Sequence, residues 1–229
     1  MVHAHQLETA LRTLKLSGML DTLDARLIQA RAGDLGHLEF LQALCEDEIA
    51  RRDATAVIRR VPAARFEEPT TLEDFDFKYN PAIPAATIRD LATLRFLTTA
   101  ESIILHGPVG VRKTFIAQAI GHHVCRQGHS VAFTETSRLL ADLAGGHADR
   151  TFNTRLRHWA RPELLVLDDF AKRDFTPNQA DDLYELITER AGRSLVITSN
   201  RKPADWYSPT PPWPNPSSTA SSTPPATSP

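Results

Sequence analysis

Cysteine is scarce. The 229 residues hold two, Cys45 and Cys125, neither in a C-x-x-C pair nor beside a histidine at zinc spacing. That argues against a disulfide framework and a structural zinc, and for two small buried hydrophobes in a reducing compartment. No run of 18 apolar residues occurs, and the N-terminus carries no apolar signal core. A soluble cytoplasmic protein is therefore expected. Net charge is also small: 26 Lys and Arg against 28 Asp and Glu leave −2. This excludes a generally basic nucleic-acid coat while leaving a local basic face open. Charge of either sign disappears at the C-terminus. Ser208 to Pro229 hold eight of the 16 prolines and no charged side chain. Some 207 residues, with 41% hydrophobic residues in the chain as a whole, remain to build a core.

The first 60 residues read as helical. Leu7, Leu11 and Leu14, then Leu20, Leu23 and Leu27, recur at helical spacing. Gly33 and Gly36 punctuate, and Leu38, Leu41, Leu44, Cys45 and Ile49 continue on a third helix to about Arg60. Arg51, Arg52, Arg59 and Arg60 line its polar face, either as a solvated surface or as a contact for DNA phosphate or an acidic partner. Pro62 to Pro84 is proline-interrupted, with Leu72, Phe75 and Phe77 among acidic residues, and reads as a linker. After a short helix at 86–96 the pattern becomes strand and helix in alternation. Strands are expected at 102–106, 130–133, 164–167 and 194–198, and helices at 113–127, 137–143, around Leu156, and from Thr176-Pro177 to about Arg190. Such alternation implies an α/β fold, a parallel sheet flanked by helices, behind a small all-helical N-terminal domain. The expected division is 1–61 helical domain, 62–85 linker, 86–207 nucleotide-binding domain and 208–229 disordered tail.

Gly107-Pro108-Val109-Gly110-Val111-Arg112-Lys113-Thr114 sits between a strand and a helix and nearly fits G-x-x-x-x-G-K-[ST]. In that motif backbone N–H groups and a helix N-terminus surround the phosphates, the lysine reaches the β/γ-phosphates, and the hydroxyl takes a place on Mg²⁺. Arg112 departs from it, standing where glycine lets the backbone approach the phosphate. Its bulk is expected to outweigh its charge and weaken nucleotide binding. Leu164-Leu165-Val166-Leu167 ends in Asp168-Asp169. The first carboxylate suits Mg²⁺ and the second suits polarising an attacking water. The bland reading, solvated turn acids, loses ground because a phosphate loop lies upstream. Leu195-Val196-Ile197-Thr198-Ser199 ends in Asn200, placed either to orient water against the γ-phosphate or simply to form a turn.

Taken with Leu164–Phe170, Thr198-Ser199-Asn200-Arg201 and Asp205-Trp206-Tyr207, the loop resembles the IstB-like proteins. These are ATP-binding helpers of insertion-sequence transposition and AAA+ ATPases related to the DnaC helicase loader. Leu14-Lys15-Leu16-Ser17-Gly18-Met19 and Leu38-Glu39-Phe40-Leu41 resemble that family's N-terminal helical domain, so the likeness runs from about residue 5 to 207. The resemblance implies ATP and Mg²⁺ as cofactors, with DNA, a cognate transposase and further copies of the chain as partners. Lys113, Asp169 and Asn200 would be catalytic, Gly107 to Thr114 would bind nucleotide, and Thr114 and Asp168 would hold the metal. It favours a DNA contact for the Arg51, Arg52, Arg59 and Arg60 face. Helicase loading, or a binding module without ATPase activity, are the alternatives. The paired Asp168-Asp169 and the Ser199-Asn200 tip speak against a P-loop kinase.

The family also implies, beyond Tyr207, a Ser-Leu-Leu-Asp-Arg-Leu-like run whose Arg acts on a neighbour's ATP, and a final Arg that senses the γ-phosphate. No Arg follows Arg201. Shifted back one base, codons for Trp213 to Ser221 permit Val-Ala-Glu-Ser-Leu-Leu-Asp-Arg-Leu, the Ala being forced by TGG followed by CCN. A frameshift near Ser208 is expected, against the alternative of a natural disordered segment, and the gene's nucleotide sequence decides. With Arg112, it points to impaired ATP turnover.

Overall fold

The computed structural model describes residues 2–33, 35–74 and 85–206. The tail at 208–229, Tyr207, Phe75 and Phe77 lie outside these. Three helices open the chain: α1 (Val2–Thr13), α2 (Ser17–Arg31) and α3 (His37–Ala64). Leu11, Leu23 and Leu44 meet in a small core of their own, with Leu16, Met19, Leu20, Leu27 and Phe40 packed around it. Gly18 lets α2 and α3 touch, since a Cβ there would come within 2.7 Å of the Glu48 Cα. The Gly18 N–H donates to the buried Glu48 carboxylate at 2.6 Å.

Two sequence expectations change here. Arg51 and Arg52 pair with Glu48 at 3.2 and 2.6 Å, and these bonds hold its carboxyl down at about 2 despite burial. A buried carboxylate needs such partners, so this half of the basic face serves folding. Cys45 is exposed, whereas Cys125 is buried. The helical period of α3 is present, but α2 covers only a narrow stripe of it. Leu44 is 6% exposed while Leu38 and Ile49 are 82% and 59% exposed.

The expected boundary at 61 falls inside α3, which runs through Pro62 to Ala64. Proline has no N–H for the carbonyl four residues back, and the helix ends two residues later, where Arg65 adopts the left-handed shape (φ 61°). Residues 66–68 are docked on α6 (Lys113–Arg126). The Gln118 side-chain oxygen accepts from the Glu67 and Glu68 N–H groups, both at 3.0 Å. Phe66 stacks on His122 at 4.1 Å. Gly121 makes room for that ring, since a Cβ would come within 2.6 Å of it.

Next come α4 (Ala85–Ala92) and the one-turn α5 (Arg95–Thr98), then β1 (Ile103–His106), α6 (Lys113–Arg126), β2 (Val131–Glu135), α7 (Thr136–Asp149), α8 (Phe152–Ala160), β3 (Leu164–Asp168), α9 (Pro177–Glu189) and β4 (Ser194–Ser199). The Thr176 hydroxyl and the Gln179 side chain cap α9 reciprocally, as the Thr-Pro start foretold. The four strands among the described residues are all parallel, in the order β1-β4-β3-β2. Every residue of β3 and β4 is buried, as strands covered on both faces should be. One face packs on α6, α4 and the end of α3 through Ile88, Phe96, Ile116, Ile120 and Phe133. The other packs on α7, α8 and α9 through Leu139, Leu143, Trp159, Leu183 and Leu186. Among the described residues no helix is long and apolar enough to cross a membrane.

Candidate nucleotide site

The C-terminal ends of β1, β3 and β4 point the same way, and an open parallel sheet collects its ligand residues at such ends. β1 runs into the loop Gly107 to Arg112. The Gly107 N–H donates to the Ser199 carbonyl at 3.2 Å, tying the loop to the tip of β4. Gly110 takes φ +90°, a shape suited to glycine. Arg112 stands at the N-cap of α6 in the left-handed region (φ 63°, ψ 32°), so the chain keeps a glycine-type backbone at a residue with a Cβ. Its guanidinium carbon lies 5.6 Å from the Phe115 ring centroid. Pro108 and Val111 lie on the loop between these points, and the Val109 side chain projects outward, 82% exposed.

Lys113 opens α6. Its Nζ donates to the Gly107 carbonyl (3.0 Å), the Pro108 carbonyl (2.8 Å) and the Asn200 Oδ1 (2.8 Å). Burial pushes its pKa down, opposed by the charges of Asp169 and Asp168. One residue on, the Thr114 hydroxyl donates to the Asp168 carboxylate at 2.9 and 3.1 Å. Asp168 ends β3, is 6% exposed, and also accepts from the Thr198 hydroxyl at 2.5 Å. Burial raises its pKa, the two hydroxyls lower it, and the charges of Asp169 and Glu135 raise it further. A carboxylate so placed gains from a cation. Asp169 follows at φ +51°, its N–H donating to the Thr198 hydroxyl at 3.1 Å and its carboxylate paired with Lys172 at 2.9 Å.

Lys113, Thr114, Asp168, Asp169 and Asn200 therefore meet at one place. Thr198 belongs with them and was not singled out from the sequence. The sequence carries no signal for it, because threonine is an ordinary β-former and β4 also holds Ser194 and Ser199. Beside the loop a cavity of about 440 Å³ opens against α4, lined by Thr87, Ile88, Leu91, His106, Pro108 and Val111. The Asp168 carboxylate with the adjacent Thr114 hydroxyl is an all-oxygen donor pair of the kind Mg²⁺ takes, so the residues present fit that ion.

The family described as IstB-like ATP binding protein matches residues 9–210. Over 203 residues the chain is 63% identical to a relative from Mycobacterium tuberculosis named as an ATP-binding protein in an insertion sequence, spanning 88% of this chain and 81% of that one. It is 32% identical, again over 203 residues, to the insertion sequence IS21 ATP-binding protein of Pseudomonas aeruginosa, spanning 88% and 77%. AMPPCP-bound DnaA from Aquifex aeolicus shares the fold at a TM-score of 0.55 and 18% identity, over 62% of this chain and 45% of that one. The DnaC helicase loader does so at 0.51 and 23%, over 58% and 77%. With a phosphate loop, an aspartate-tipped strand and this parallel sheet in place, the chain belongs to the IstB-like ATP-binding proteins of insertion sequences, on an AAA+ fold.

Proposed function

We propose that this chain is an ATP-dependent helper of DNA transposition, acting on DNA with a transposase and as an assembly of several copies. The observation that carries the reading is the convergence of Lys113, Thr114, Asp168 and Asn200 from three neighbouring strand ends in a chain whose relatives are named for insertion sequences. The helix N-terminus and the Lys113 ammonium bind and orient the phosphates, Lys113 exchanging its carbonyl partners for phosphate oxygens. The cavity against α4 suits the base. Thr114 and Asp168 hold Mg²⁺, which when bound supplies charge neutralisation on the phosphates. Asp169 polarises the attacking water once it parts from Lys172, and Asn200 orients that water. Arg112 adds bulk where the phosphate must come close, so binding is weak and turnover slow. That favours, as a second reading, a DNA- and protein-binding module with little ATPase activity.

ATP binding and DNA-stimulated hydrolysis, compared between the chain and its Lys113→Ala variant, test the nucleotide role. Insertion frequency with the cognate transposase, with and without the chain, tests the helper role. A transposase equally active in its absence would sink the second. Equal ATP binding by the Lys113→Ala variant would sink the first.

A further inference from the structure

At the other end of the sheet from the nucleotide site, where β2 begins, the last turns of α3 and the end of α8 flank a groove of about 620 Å³. Arg59, Arg60, Arg65, His158 and Arg161 line it, and no carboxylate does. Other arginines of the chain are held by acids, among them Arg26 by Asp47, Arg126 by Glu73, Arg155 by Asp142 and Asp149, and Arg201 by Asp174. Among the described residues no acid lies at ion-pair distance from Arg59, Arg60, Arg65 or Arg161. The Glu163 carboxylate, which accepts from the Ser130 N–H and hydroxyl at 2.8 and 3.0 Å beside the groove, offsets one of these charges and leaves a local excess of three in a chain of net charge −2.

The excess is not needed to cap helices. Two helix C-termini contribute roughly one negative charge together. At α8 that charge is already met from inside. Arg190, 1% exposed, donates to the Trp159, Ala160 and Pro162 carbonyls at 3.2, 3.0 and 2.9 Å and to the Ser194 carbonyl at 2.6 Å. Arg193 also donates to the Ala160 carbonyl. Burial pushes the Arg190 guanidinium down only to about 10, so it remains a cation at neutral pH, and among the described residues no carboxylate lies at ion-pair distance from it. The groove therefore lies over a fixed buried positive charge, which strengthens its field toward an anion.

We propose that this groove grips the sugar–phosphate backbone of DNA. The inference rests on the DNA-helper reading and gives that partner a place. Guanidinium forks match phosphate oxygens, and the groove offers four of them. Half of the basic face expected on α3 is occupied by Glu48, whereas Arg59 and Arg60 combine with Arg65 and Arg161 from outside that helix. Such contacts fix register on the duplex without reading its sequence. Four phosphate contacts imply a slope of about −3.6 in log affinity against log salt.

The test is fluorescence anisotropy of a labelled duplex with the full chain, ATP and Mg²⁺ present, across a salt series. A double variant, Arg59→Gln with Arg161→Gln, removes two exposed guanidiniums. Its slope should fall by about 1.8, and its affinity at 0.1 M salt by roughly sixtyfold. Its ATP affinity, measured in parallel, should be unchanged, because the nucleotide site is at the opposite end of the sheet. A control at Arg31 and Arg89, both changed to Gln, removes equal charge elsewhere and should bind DNA within about twofold of the parent. Equal losses in control and groove variants would overturn the groove. So would a groove variant that keeps its DNA affinity but loses binding to a poly-glutamate peptide, which would mark an acidic protein segment as the occupant. A parent chain that binds ATP and shows no salt-dependent DNA binding would overturn the DNA reading together with the groove.

Discussion

Replacing Arg112 by glycine should tighten ATP binding while leaving the unliganded protein about as stable as before. The two parts follow from one backbone. Residue 112 is left-handed (φ 63°), a shape that costs a residue with a Cβ about 1–2 kcal/mol. Glycine removes that cost, gains about 0.4–1 kcal/mol of freedom in the unfolded chain, and gives up a contact with Phe115 worth about 0.5–1 kcal/mol. The terms nearly cancel, so the melting temperature should move by no more than about 2–4 °C. ATP feels something different. A side chain crowding a close-packed contact costs about 1–3 kcal/mol, which is about 5- to 150-fold in affinity. Calorimetric titration with Mg-ATP reads this directly. An Arg112→Ala variant separates the causes: if the Cβ itself is the obstacle, alanine stays near arginine, and if the long side chain is, alanine moves to glycine. Equal ATP affinity in the parent and the Arg112→Gly variant would refute the reasoning.

Changing Arg190 to Met should cost about 3–5 kcal/mol in urea unfolding, since it strands the Trp159, Pro162 and Ser194 carbonyls while Ala160 keeps its bond from Arg193; a loss under 1 kcal/mol would show that they find other donors. His122, stacked on Phe66 with its Nε2 against the Glu68 carbonyl, has its pKa lowered by burial, so the folded state binds that proton less readily than the unfolded one. Its contribution is present above pH 6.5 and lost as pH falls through the lowered value, and a His122→Phe variant should show a shallower acid decline in melting temperature. Cys45 should react with a thiol reagent in the native protein while Cys125, buried with its thiol pushed up to about 11, reacts only in denaturant; two fast-reacting thiols would contradict the placement of α6.

What the sequence made legible was what local chemistry determines. The apolar runs before Asp168 and Asn200, the strand-loop-helix around Lys113 and the Thr176-Pro177 start describe their own elements, and all sit within a few residues of the reading. What it hid depends on partners distant along the chain. Nothing near Arg51 or Arg52 announces that Glu48 is buried, because Gly18, which brings α2 down on it, lies about thirty residues away. Cys45 follows the same helical period as Leu44, yet only one of them faces α2. Pro62 reads as a stop, and is one, but only after α3 has completed its last turn. Thr198 has meaning only beside Asp168, and Phe66 only where Gly121 opens α6.

The strand order has a consequence for how the protein is made. Among the described residues β4 is the last strand along the chain, and it lies inside the sheet, between β1 and β3. Ile103 waits for Val196 and Leu165 for Leu195, so a nascent chain that ends before residue 194 has a β2–β3 pair and a β1 without a neighbour. Two paired strands are marginal on their own, and the open Val- and Leu-rich edge of β3 invites pairing between chains. The Lys113–Asn200 bond cannot yet exist. The phosphate loop thus leaves the ribosome early as sequence, and its tie to Asn200 must wait for the six-residue strand that joins β1 to the β2–β3 pair.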